Sequence, residues 1–134
     1  MRMLLTSLCV AAVLYAPLAA QAGSPHFVTC TESQDGSTLS VDGKEAGLGD
    51  EPQIHVVLSA EAQCINPGNH HPQAGNKESV TASGSFPVQN GKALFSLDAA
   101  ATFQPPCSPP MSVVFTSVSV CDDTDPANVY CCTL

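Results

Sequence analysis

Apolar and polar residues alternate with a period of two along most of this chain. Ile54, Val56, Leu58, Ala60, Ala62 and Cys64 form one series, interleaved with His55, Ser59, Glu61 and Gln63; Val57 is the exception. A residue points to the opposite face of a strand from its neighbour, so this pattern predicts a long strand with one buried face. The same alternation carries Val80 to Val88 and Ala93 to Phe103. Asn90-Gly91 stands between these two runs, and Asn-Gly accommodates the positive φ angles of a tight turn, so residues 79–103 are expected to form a β-hairpin. Weaker signals suggest strands at Phe27–Thr31, at Leu39 and Val41 ending near Asp42-Gly43, and at Val129–Thr133. Between residues 112 and 121 the apolar phase slips from Val113/Phe115 to Val118/Val120, which predicts a bulge near Thr116-Ser117.

About seven short strands separated by turn residues point to an all-β fold, an antiparallel immunoglobulin-like β-sandwich. No helix longer than a turn is expected, since residues 43–49 carry too much glycine to hold one. Three loops interrupt the strands: residues 65–78, the proline-rich residues 104–110 and the acidic residues 122–127.

The start of the chain follows a different rule. Met1-Arg2-Met3 is followed by an apolar run from Leu4 to Pro17 and then by Ala20-Gln21-Ala22, a small-x-small pattern. This order predicts a signal peptide over residues 1–22, cleaved after Ala22, and one secreted domain over residues 23–134. Arg2 leaves with the leader, so three lysines (Lys44, Lys77, Lys92) then face twelve acidic residues. Such a surface lacks the clustered cations that nucleic acid or anionic lipid requires. Export also gives the cysteines their meaning. Cys9 lies in the leader, while Cys30, Cys64, Cys107, Cys121, Cys131 and Cys132 remain, with no C-x-x-C spacing suited to zinc. Three disulfides are expected. If the two strands run antiparallel to the hairpin between them, Cys64 at the end of the long strand and Cys107 in the proline loop gather at one end of the sandwich, which predicts Cys64–Cys107. Cys131 and Cys132 face opposite sides of a strand, so they are expected to reach Cys30 and Cys121, in an order the sequence leaves open.

The segment Lys44-Glu45-Ala46-Gly47-Leu48-Gly49, followed by Cys64-Ile65-Asn66, by Asn76-Lys77 and by Cys107-Ser108-Pro109-Pro110, resembles a group of small secreted bacterial and fungal β-sandwich-like proteins without an assigned activity. The resemblance covers roughly Pro25 to Asp122 and implies the fold and the export. The acidic run and the paired cysteines near the end depart from it.

Candidate chemistry is sparse. Asn66, Asn69, His70, His71 and Lys77 gather polar groups in the longest loop, and they are the residues expected to contact a ligand. His70 and His71 raise a small metal-binding alternative, but neighbouring side chains chelate one ion poorly. His26 is read as a histidine at the start of a strand. Asp122, Asp123 and Asp125 lack the glycine and distal glutamate of a calcium loop and are read as a solvated turn ending at Pro126. No serine stands in a Gly-x-Ser-x-Gly setting, and no catalytic residue or cofactor is expected. The resulting expectation is a secreted, non-enzymatic binding or structural module that presents loops 65–78 and 104–110 to an extracellular protein or a cell-wall ligand. The alternative is a secreted effector or enzyme inhibitor.

Overall fold

A computed structural model describes residues 23–68 and 76–134. The expected leader at 1–22 and the loop positions Asn69, His70 and His71 lie outside the described residues. Seven strands follow in order: β1 (His26–Asp35), β2 (Thr38–Ala46), β3 (Gln53–Ile65), β4 (Lys77–Pro87), β5 (Lys92–Ala100), β6 (Ser112–Asp122) and β7 (Tyr130–Thr133). They form a three-stranded sheet, β1-β2-β5, and a four-stranded sheet, β4-β3-β6-β7, with every pairing antiparallel. This is an immunoglobulin-like sandwich in which β4 lies beside β3 rather than beside β5.

The inward series are those read from the alternation. Leu39 and Val41 of β2, Ile54, Val56 and Leu58 of β3, Phe95 and Leu97 of β5, and Val118 and Val120 of β6 are all buried. Alanines at 60, 62 and 99 thin the layer, and aromatic rings fill it unevenly. Phe95 stands directly opposite Gly43 in the β2–β5 register, and a Cβ on Gly43 would meet the Phe95 ring at 2.2 Å. The missing side chain therefore makes the seat for Phe95, against which Phe27 packs edge-on with centroids 5.8 Å apart.

One expectation is corrected. Asn90 (φ 52°) and Gly91 (φ 69°) do make a tight turn, closed by reciprocal Gln89 and Lys92 backbone hydrogen bonds of 2.8 and 3.0 Å. However, β4 and β5 do not continue it as a ladder: β4 pairs with β3 and β5 with β2. Both strands bury one face, and at the turn the chain crosses so that the two faces oppose each other across the core. The Val88 amide bonds to Pro52 O at 3.0 Å and the Leu48 amide to Gly91 O at 3.0 Å, so the turn is tied to the β2–β3 connection instead. Turn chemistry fixes the reversal, not the sheet that each arm joins. A two-residue hairpin lies elsewhere, between β1 and β2 at Gly36-Ser37, where Gly36 has φ 57°.

The bulge is present. Ser59 pairs with Ser119 and Glu61 with Thr116, so Ala60 opposes both Ser117 and Val118, and Ser117 has φ 54°. β1 and β2 both run further than expected, to Asp35 and Ala46, because their mutual ladder satisfies backbone groups even where the side chains are polar.

Three disulfides staple the sandwich. Cys64–Cys107 joins the exit of β3 to the proline loop, as the strand directions require. Cys121–Cys131 links directly opposed residues of β6 and β7, and Cys30–Cys132 joins β1 of one sheet to β7 of the other. The adjacent cysteines thus make one bond within a sheet and one between sheets, on opposite faces of β7.

Candidate functional site

The antiparallel strands gather the connections at two ends. One end holds the β1–β2 turn, the described parts of the 65–78 loop and the proline loop. Cys107 is covalently held by Cys64, and the Met111 amide bonds to Ser108 O at 2.9 Å. Gln34 Nε2 donates to Gly36 O at 2.8 Å and to Val113 O at 2.7 Å, drawing the hairpin tip against the start of β6. A shallow hollow of about 450 Å³ lies between Gln34, Ser37, Cys107 and Met111. Pro105, Pro106, Ser108, Pro109 and Pro110 are exposed around it. Of the sequence-predicted contact residues, Asn66 is exposed and accepts a 3.4 Å hydrogen bond from the Gly68 amide. Lys77 starts β4 and lies 3.8 Å from Glu61 Oε1. Asn69, His70 and His71 fall outside the described residues.

The opposite end carries a constellation that sequence reading missed. Glu45 at the end of β2 is fully buried and Asp122 at the end of β6 is 2 % exposed. The Tyr130 hydroxyl, at the start of β7, lies 2.5 Å from Glu45 Oε2 and 2.9 Å from Asp122 Oδ2. One hydroxyl proton cannot serve two carboxylates at once, so the group is stable when a carboxyl also carries a proton. Burial pushes the Glu45 carboxyl up to about 7; the Tyr130 bond opposes this and neighbouring Asp122 adds to it. Burial and then the bonds to Glu45 and Asp122 raise the Tyr130 phenol as well. Glu45 Oε1 has no hydrogen-bond partner.

The signal for this cluster was present in the alternation. The series Leu39, Val41 and Gly43 continues to Glu45, and Val118 and Val120 continue to Asp122. Extending each series by one inward step puts both carboxyls inside. Asp122 is accordingly no member of a solvated turn, which corrects that reading. The three aspartates diverge: Asp122 faces Tyr130, Asp123 Oδ1 lies 2.5 Å from His55 Nδ1, and Asp125 accepts from Asn128 Nδ2 at 2.6 Å and the Ala127 amide at 2.9 Å. The Asn128 bond, then that of Ala127, lowers the Asp125 carboxyl below its ordinary value. His26 opens β1, exposed, with Nδ1 2.8 Å from Ser24 O.

Above the buried acids lies the larger hollow, about 840 Å³, between residues 23–25, the β2–β3 connection and the β6–β7 loop. Asp50, Glu51, Asp122 and Asp125 line it, and no lysine does. Among the described residues no three His, Cys, Asp or Glu side chains are grouped to hold a metal ion. Comparison of the chain with protein-family models, curated proteins and solved structures gave no match.

Proposed function

We propose that this protein is a secreted, non-enzymatic binding module whose contact surface is the proline end of the sandwich. The Cys64–Cys107 bond carries the reading, because it anchors an exposed proline-rich loop to the end of a core strand. Ordering such a loop before binding removes part of the entropy cost of association. Three disulfides suit an oxidising compartment, and with the leader-like start they support export. The partner is an extracellular protein or a cell-wall ligand. The test is capture by immobilised protein from extracellular fluid and on insoluble polysaccharide, comparing wild type with Ser108→Arg. The substitution is expected to abolish capture at an unchanged melting temperature. Equal capture by both forms would reject the proline end as the contact surface.

The same loop favours a second reading, an effector or enzyme inhibitor. A rigid, exposed segment with a covalent anchor at Cys107 is the form in which a loop fills a partner's cleft without being reorganised. One saturable soluble partner would select this reading, whereas retention on polysaccharide would select the cell-wall module.

A further inference from the structure

β5 pairs with β2 on one side, and among the described residues no strand pairs with its other side. The Ala101 amide donates to Ser37 O at 2.8 Å, in register with the ladder that sets Thr38 opposite Ala100. Backbone groups along an antiparallel strand face alternate sides. Ala93, Phe95, Leu97 and Ala99 therefore bond to β2, while Leu94, Ser96, Asp98 and Ala100 turn theirs to the open edge. Both ends of that edge are already satisfied. The Lys92 backbone exchanges hydrogen bonds of 2.8 and 3.0 Å with Gln89, and the Thr102 amide donates to Glu78 Oε1 at 2.5 Å. Between these stops, from Leu94 to Ala100, no described residue pairs with the outward backbone groups.

The other sheet edges are blunted and this one is not. β1 breaks register between Phe27 and Thr29 and is tied to β7 by Cys30–Cys132; β7 has only 4 residues; β4 contains Gly84 and ends at Pro87. β5 runs for 9 residues in unbroken register without glycine or proline. Leu94 on its outer face is 71 % exposed, the most open of the large apolar side chains. The surrounding face is balanced in charge although the chain carries a net charge of −8: Lys44 and Lys92 stand with Asp42 and Asp98. Lys44 is the register partner of Leu94, and Ser40 Oγ donates to Asp98 Oδ1 at 2.6 Å.

We propose that this edge pairs antiparallel with the same edge of a second copy, joining the two three-stranded sheets into one about a two-fold axis at Leu97. Only that register pairs every open residue and spares the stops. Sliding the axis to Ser96 would bring Ala100 of the other copy against Lys92, where Gln89 already sits. Sliding it to Asp98 would set the two Asp98 carboxylates face to face, which disfavours pairing. With the axis at Leu97, each Leu94 meets Ala100 of the other copy, covering the exposed side chain with an apolar one. Each Ser96 hydroxyl, a donor, meets an Asp98 carboxylate, and Lys44 and Lys92 supply cations at the flanks. The contact is isologous and uses up both open edges, so assembly stops at a dimer. It leaves the proline end uncovered and does not depend on the function proposed for that end.

The experiment follows the disulfide-intact chain 23–134, which holds all seven strands, by sedimentation equilibrium and by amide hydrogen exchange over a range of concentrations. The mass is expected to double as concentration rises. Over the same range the amides of Leu94, Ser96, Asp98 and Ala100 should become protected, while those of Phe95 and Leu97, bonded to β2, stay protected throughout. Leu94→Lys places a cation in the apolar contact, and Ser96→Pro removes an N–H that β2 does not use; each is expected to return the mass to that of a monomer. Retained protection at Phe95 and Leu97 reports that each variant is folded. A monomer at every soluble concentration would overturn the proposal. So would an assembly larger than a dimer, or a dimer that both folded variants leave intact.

Discussion

Both ends of the sandwich carry a disulfide, and only one adds protonic chemistry to it. At the proline end, a covalent bond between Cys64 and Cys107 holds a loop that has little apolar surface to bury. At the carboxyl end, Cys121–Cys131 closes the β6–β7 connection, which is held further by hydrogen bonds to buried acids, one of which must keep a proton to be comfortable there. A covalent closure is indifferent to pH and sensitive to reductant, while the protonic contacts that the carboxyl end adds are the reverse. The difference shows that a small domain can rigidify a loop by limiting the unfolded chain alone or by also matching polar groups inside the folded one.

Breaking the disulfide at the proline end should have the largest effect. Cys64→Ser with Cys107→Ser opens a 43-residue separation and is expected to cost about 4 kcal/mol, read as a lower urea midpoint at every pH. Breaking the protonic end should depend on pH. Glu45 ordinarily titrates near 4.5 and here near 7, so between those values the folded chain holds more protons than the unfolded one. Stability therefore falls as pH rises from about 4.5 to about 7, by up to about 3 kcal/mol, and Glu45→Gln should flatten this slope while leaving stability at pH 4.5 nearly unchanged. Urea unfolding across that range checks both forms.

Smaller changes sharpen the contrast. Tyr130→Phe removes the hydroxyl that both carboxyls share and is expected to cost about 1–2 kcal/mol at pH 7; the Glu45 titration, followed by NMR, should move still higher. The least effect is expected at His55. Its ring meets Asp123 at 2.5 Å, but both side chains are about two-fifths exposed, so His55→Gln should lower stability by less than about 1 kcal/mol in thermal unfolding at pH 6.

The strands were legible because each buries one face against the other sheet, and that requirement writes itself into every second residue. The bulge at Ser117 was legible for the same reason, as a break in phase. Sheet membership was not: Asn90-Gly91 specifies a reversal, and whether β5 then zips onto β4 or crosses the core depends on β2, more than forty residues earlier. The Cys64–Cys107 pair followed from strand direction alone, whereas the choice between Cys121 and Cys30 for Cys131 and Cys132 depends on which way β7 turns its faces. Glu45 and Asp122 were hidden because charge argues for the surface. Only the parity of Leu39, Val41, Val118 and Val120 argues otherwise, and it is the better guide where a strand ends beneath a loop.

The bond between Cys30 and Cys132 spans 102 positions, nearly the whole described chain. Any single peptide hydrolysed between those two cysteines leaves fragments that still travel together. A protease able to nick one exposed loop would yield a clipped molecule of unchanged size on a non-reducing gel, and two separate cuts or a reductant would be needed to release a piece of it.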